Sequence, residues 1–204
     1  MVNNTIESYY TIRSQVYNHV KNAGTYEKVG LAFLMACFTG IAAQIAIPLS
    51  WTPVPITLQT FAVLISGMLL GRKYGTLSQV LYLALGLVIP WYSGMTGGIA
   101  TLLGTNCGYF IGFLVCAYFV GSISERYPQS RKFVGMTGTL LVANFLAIYI
   151  PGLIGLYLYF YLAQGTALTL TQVLVMGLVP FIVGDVLKVL AGSAISQVFL
   201  PKDE

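Results

Sequence analysis

VLVMGLVPFIVGDVLKVLAGSAISQVFL, residues 173–200, is an apolar run with two charges inside it, Asp185 and Lys188. A helix needs about 20 predominantly apolar residues to cross a bilayer, and this run is long enough. A charge at the bilayer centre costs about 2.5–3.5 kcal/mol on insertion scales. These two are the only acid and base inside any candidate span; the other charged residues sit at termini, in loops or at span edges. Asp185 and Lys188 stand three apart and share a helix face. Pro180 lies one turn before them and either kinks the helix or marks its start.

Composition supports the same class. The chain has 204 residues, 57% hydrophobic and 8% charged, with a mean hydropathy of +0.81. A soluble domain carries about 25% charged residues. Continuous apolar runs, rather than short alternating segments, predict spanning helices and not a β-barrel. Spans are expected at about 29–47, 56–70, 76–89, 103–120, 133–150 and from Thr169 or Thr171 to about Leu200. Residues 1–28 read as a polar cytoplasmic arm, 29–200 as one six-helix membrane domain and 201–204 as a cytoplasmic tail.

Loop charge gives the orientation. The N-terminal arm, the 71–75 turn, the 121–132 loop and the C-terminal tail hold nine of the ten basic residues. The loops at 48–56, 90–102 and 151–170 hold none. The positive-inside rule then puts both termini in the cytoplasm and the uncharged loops outside. The net charge of +4 is small, and the basic residues flank spans, so lipid headgroups rather than nucleic acid are expected to meet them.

Several chemistries find no support. His19 is the only histidine, and Cys37, Cys107 and Cys116 are scattered, so neither a metal site nor a disulfide framework is expected. The glycine-rich loop at 91–98 lacks the Lys-Ser/Thr ending of a phosphate-binding loop. No nucleophile motif or carboxylate pair is visible. The chain reads as a non-enzyme without a cofactor.

Polar and small residues near the spans supply candidates. Ala32, Ala36 and Gly40 are spaced four apart, which lets a second backbone approach closely; they pack against the chain's own helices or dock another subunit. Pro48, Pro53 and Pro55 predict a stiff, non-helical loop carrying Trp51, an interface anchor or a cap on a cavity. Gln59 and Thr60 open the second span, as caps or as cavity residues. Asn106 stands where Gly104 and Gly108 leave room beside it. Pro151-Gly152 is expected to bend the chain before an aromatic segment, 153–162. For Asp185 and Lys188 three readings compete: an ion pair that lowers the cost of burial, a proton or ion relay, and a clamp for a ligand with donor and acidic groups. A relay would usually show further protonatable groups, and the other spans supply none.

The pattern Pro53-Val54-Pro55-Ile56-Thr57-Leu58-Gln59-Thr60 and the Gly71 turn resemble BioY, the biotin-binding subunit of energy-coupling-factor (ECF) vitamin transporters. So do Gly97-Gly98, Gly104 to Tyr109 with Gly112-Phe113, and Pro180-x-x-x-Gly184-Asp185-x-x-Lys188. The resemblance covers about residues 30–195. It departs at Thr105-Asn106-Cys107-Gly108, where the family usually has a Pro-Thr-Gly-Gly-like run, and at Asn144, five residues before Tyr149, where it often has His. The resemblance implies a six-helix capture subunit in a prokaryotic cell membrane. Biotin would be its transported ligand, and a transmembrane coupling subunit and two ATPase subunits its partners. It implies that the Ala32/Ala36 face contacts the coupling subunit. Asp185, Lys188, Asn106, Gln59, Asn144 and Tyr149 would bind the ligand, and Trp51 and Trp91 would shield it. The alternative is a stand-alone ion-coupled carrier for a small organic acid or another vitamin.

Overall fold

The computed structural model describes residues 13–15 and 17–201; residues 1–12 of the polar arm and the tail beyond Pro201 lie outside them. Helix α1, Thr25–Gln44, follows a short helical segment that includes residues 17–22. One face of α1 is small and buried, and the opposite face, with Phe33, Leu34, Phe38 and Ile41, is exposed, as lipid contact requires. Ala32 and Ala36 are 0% exposed, and a Cβ on Gly40 would lie 2.8 Å from Trp91. The small-residue face is therefore filled by the chain itself. The expectation that Ala32, Ala36 and Gly40 form a docking surface is corrected: close backbone approach is used within the molecule.

The proline loop is a β-hairpin. Strand β1, Ala46–Leu49, pairs antiparallel with β2, Thr52–Thr57, with Ala46 opposite Thr57 and Leu49 opposite Thr52. A two-stranded ribbon has outer edges where proline's missing N–H goes unnoticed. The first helix consequently ends at Gln44, before the expected boundary near Ile47.

Helix α2, Gln59–Gly86, folds back on itself at Gly71, whose φ of 73° is open to glycine. Gln59 in the first arm reaches Tyr82 in the second, and Ser66 reaches Gln79. A short helix α3, Gly98–Leu102, precedes α4, Cys107–Arg126.

Helix α5, Phe133–Val142, runs through a π-helical turn, Ala143–Ile148, into α6, Tyr149–Ala163. Pro151 does not break this rod. The wider π turn just before it removes the clash that proline makes with the carbonyl four residues back. The expected bend and long outer loop are thereby corrected to one helix over residues 133–163.

Thr169 caps α7, Leu170–Gly177, through a reciprocal box with Gln172. A 3₁₀ turn at Val179–Phe181 contains Pro180 and leads into α8, Ile182–Phe199. Among the described residues, four helical stretches, 25–44, 107–126, 133–163 and 170–199, are long and apolar enough to cross a membrane.

Arg131 belongs to the basic 121–132 loop, yet it is 2% exposed. Pro128 has no N–H to give the Ser124 carbonyl at the end of α4. Arg131 Nε donates to that oxygen at 2.9 Å, Nη1 donates to Pro201 O at 3.1 Å and Nη2 to Tyr17 Oη at 2.7 Å. Tyr17 and Pro201, far apart in sequence, are tied together there. Arg131→Met leaves these acceptors without their donor, at about 1–3 kcal/mol each. A melting temperature in detergent lower by several degrees is expected; an unchanged melt would remove Arg131 from the account.

Candidate functional site

The polar cavity forms where the hairpin, the first arm of α2, α4, the π turn and the start of α8 converge. Its free volume is about 50 Å³, room for only a few waters at about 10–15 Å³ each. Ligand pockets usually span about 300–1,000 Å³, so side chains or the hairpin must shift to admit a ligand. Tyr109, Phe110, Phe113, Tyr149 and Phe181 form an aromatic wall, and Val54 and Pro55 bring the hairpin to its rim.

Local backbone features aim these groups. Pro180 and its 3₁₀ turn end α7 and start α8, so Asp185 falls in the first turn of α8. Tyr109 Oη donates to Gly177 O at 2.8 Å, and Thr52 Oγ1 to Met176 O at 2.7 Å. These bonds fasten α4 and the hairpin to the segment before Asp185. The π turn brings both Asn144 and Tyr149 to the carboxylate.

Asp185 is 1% exposed, and each of its oxygens accepts two hydrogen bonds. Oδ1 accepts from Lys188 Nζ at 2.6 Å and Thr60 Oγ1 at 3.3 Å. Oδ2 accepts from Asn144 Nδ2 at 2.8 Å and Tyr149 Oη at 2.5 Å. An ionised carboxylate offers about four acceptor positions, and all are filled. Lys188 Nζ also donates to Thr60 Oγ1 at 3.0 Å, which leaves one of its three N–H donors. Thr60 is thus the hydroxyl between the two charges.

The structure gathers most of the expected site residues. Asp185, Lys188, Tyr149, Gln59 and Asn106 line the cavity. Asn144 stands behind Asp185, and its Oδ1 is buried without a hydrogen-bond partner. Gln59 Nε2 donates to Tyr82 Oη at 2.7 Å, and its Oε1 accepts from Thr57.

The two tryptophans do not join them. Trp51 lies at the hairpin turn, 59% exposed. Trp91 packs on Gly40, stacks on Tyr82 and donates to Tyr82 O at 3.1 Å. It supports Gln59 from a second layer, because Tyr82 is the partner of both. Neither ring borders the cavity, which corrects the expectation that the tryptophans shield it. Trp51→Ala is expected to change ligand affinity by less than about twofold in an equilibrium titration, since burial carries most of a side chain's contribution.

Of the aromatic wall, sequence reading named Tyr149 as a site residue but not Tyr109, Phe110, Phe113 or Phe181. Phe110, Phe113 and Phe181 are apolar residues in apolar spans, so composition does not distinguish them from lipid-facing neighbours. The glycines offered a signal: a Cβ at Gly108 would lie 2.0 Å from Pro151 O, and one at Gly112 2.7 Å from Ile148 Cα. These close approaches press α4 against the π turn and α6, and bring Tyr109 and Tyr149 into edge contact at 5.9 Å.

Comparisons with known proteins converge on one group. The model of the BioY family matches residues 15–202. A probable biotin transporter BioY of Methanothermobacter thermautotrophicus is 43% identical over 139 residues, 68% of this chain and 88% of the relative. The biotin transporter BioY of Rhizobium etli is 31% identical over 176 residues, 85% of this chain and 92% of the relative. Among solved structures, the S-component for biotin from an ECF-type ABC transporter matches with a TM-score of 0.74 and 29% identity. That match covers 86% of this chain and 92% of the solved one.

Proposed function

The chain belongs to the BioY family, and on that premise we propose that it captures biotin as the S-component of an ECF-type transporter in a prokaryotic cell membrane. The relatives are transporter components, not enzymes. One observation carries the reading: a buried Asp185–Lys188 pair, wired to Thr60, Asn144 and Tyr149, opens onto an aromatic-walled cavity.

Counting the two arms of α2 as separate crossings gives six spans, with both termini on the cytoplasmic side by the loop charges. The cavity then faces outward. Asp185 serves as a positioning residue rather than a direct acceptor, because its four acceptor positions are taken by the chain's own donors. Lys188 offers its remaining N–H to an oxygen of the ligand. The Asn106 amide makes no hydrogen bond among the described residues and borders the cavity, so it presents a donor and an acceptor to a cyclic urea. The aromatic wall covers the apolar ring and tail.

Energy for uptake comes from partner subunits: a transmembrane coupling subunit and ATPase subunits. The alternative is an ion-coupled carrier acting alone. Proteoliposomes holding only this chain are expected to bind biotin without accumulating it above the outside concentration. Accumulation driven by an imposed proton or sodium gradient would favour the carrier.

Tyr149→Phe tests the wiring of Asp185. A hydrogen bond to a charged group contributes about 1.5–3 kcal/mol. Biotin affinity is expected to fall about 10-fold with the fold intact; equal affinity would mean that this hydroxyl does not hold the site.

A further inference from the structure

At the end of the bundle away from the biotin cavity, two adjoining hollows differ sharply in chemistry. Gln59 at the cavity and Gly71 at the other end are separated by twelve residues of helix, about 18 Å. There a cleft of about 440 Å³ is lined by Lys21, Lys28, Arg72, Lys73, Tyr74 and Glu125. Next to it a groove of about 310 Å³ is lined by Leu31, Leu34, Met35 and Phe199. Tyr17, Val20, Leu69 and Leu70 border both, so the two are continuous.

Charge in the cleft is unbalanced. Glu125 pairs with Arg72, Oε2 to Nε at 3.4 Å. Lys28 and Lys73 lie over one ring, Tyr74, at 5.7 and 5.3 Å from its centre. Among the described residues neither meets a carboxylate within salt-bridge distance. Lys28 Nζ also donates to Lys21 O at 2.7 Å, a neutral acceptor that leaves its charge uncompensated, and an anion near both ammonium groups offsets their like charge.

The order along the helices matches an amphiphile. On α1, Lys28, Leu31 and Met35 follow at helical spacing from the charged end inward. On α2, Leu69 and Leu70 precede Arg72 and Lys73. We propose that this end of the molecule holds one anionic phospholipid, with its phosphate in the basic cleft and an acyl chain in the adjoining groove. Basic pockets between membrane helices bind such headgroups by charge and by depth. The site is separate from the biotin cavity and does not depend on what binds there.

Native mass spectrometry of the full-length protein in neutral detergent tests this, with phosphatidylglycerol, phosphatidylcholine and inorganic phosphate as probes. One phosphatidylglycerol per chain is expected, at least fivefold more occupied than phosphatidylcholine. Lys28→Gln with Lys73→Gln should reduce occupancy at least fivefold, while Lys28→Arg with Lys73→Arg retains it. Arg126→Gln with Lys132→Gln removes exposed cations outside the cleft and should change it less than twofold. Equal occupancy by both lipids, or equal loss in both Gln pairs, overturns the site. Competition by inorganic phosphate as strong as by lipid overturns the acyl groove. The comparison of lipids on the unaltered protein stands even where a variant fails to fold.

Discussion

Lys188→Ala is expected to weaken biotin binding about 100-fold. On the proposed reading the change removes the one N–H of Lys188 left for the ligand, worth about 1.5–3 kcal/mol as a charged hydrogen bond. It also leaves Asp185, 1% exposed, without its cation; breaking a buried pair from one side costs about 3–5 kcal/mol. Asp185→Asn is expected to act through the same unit, because its carboxylate holds Lys188, Thr60, Asn144 and Tyr149. The double variant Asp185→Asn/Lys188→Met should therefore lose less than the sum of the two single losses. Titrations of all three, each with a thermal melt, separate loss of the site from loss of the fold. Additive effects would mean that the two residues act independently.

Gly108→Val should damage both the fold and the site. A Cβ there would lie 2.0 Å from Pro151 O and 3.0 Å from Gly152 Cα, and one turn along the same helix a Cβ on Gly155 would lie 2.6 Å from Gly108 Cα. Backbone cannot yield as a flexible side chain does, so α4 and α6 must separate. Overpacking costs about 1–3 kcal/mol, occasionally more, and a chain of this size loses about 2–4 °C in melting temperature per kcal/mol. Tyr109 and Tyr149 are carried by the two helices that would part, so biotin affinity should drop as well. Gly138→Val is the control, since a Cβ there meets nothing within 4 Å. Equal melts for the two variants would show that the crossing does not depend on glycine.

Much of the site was legible because charge is rare in this chain. Asp185 and Lys188 stood out against an apolar run, and the Gly71 turn stood out by its basic neighbours. Features that depend on relief of a local conflict were not legible. Pro151 signalled a bend, yet the π turn before it absorbs the clash. Three prolines signalled an irregular loop, yet a ribbon with open edges accepts them. Nothing in the basic 121–132 loop set Arg131 apart from its exposed neighbours, although Pro128 leaves a carbonyl for it to satisfy. Small-residue spacing on α1 predicted close approach correctly in kind, but spacing cannot say whether the partner is another subunit or, as found, the chain's own packing. The tryptophans read as cavity shields because interface anchors and lids share a composition.

The same logic sharpens the role of Asp185. From sequence, a buried acid beside a ureido ligand is most simply its acceptor. With both oxygens already saturated, the carboxylate instead fixes a lysine and a phenol at the cavity, with the Asn144 amide behind it. On the proposed reading, recognition passes to Lys188 and Asn106, which line the cavity.

The most direct test is an equilibrium titration of the purified protein with biotin, in parallel with Lys188→Ala. Saturable binding of one biotin per chain, weakened about 100-fold in the variant while its melt stays cooperative, is the predicted result. No biotin binding by the unaltered protein, or equal affinity in both, would contradict the assignment of this cavity as the biotin site.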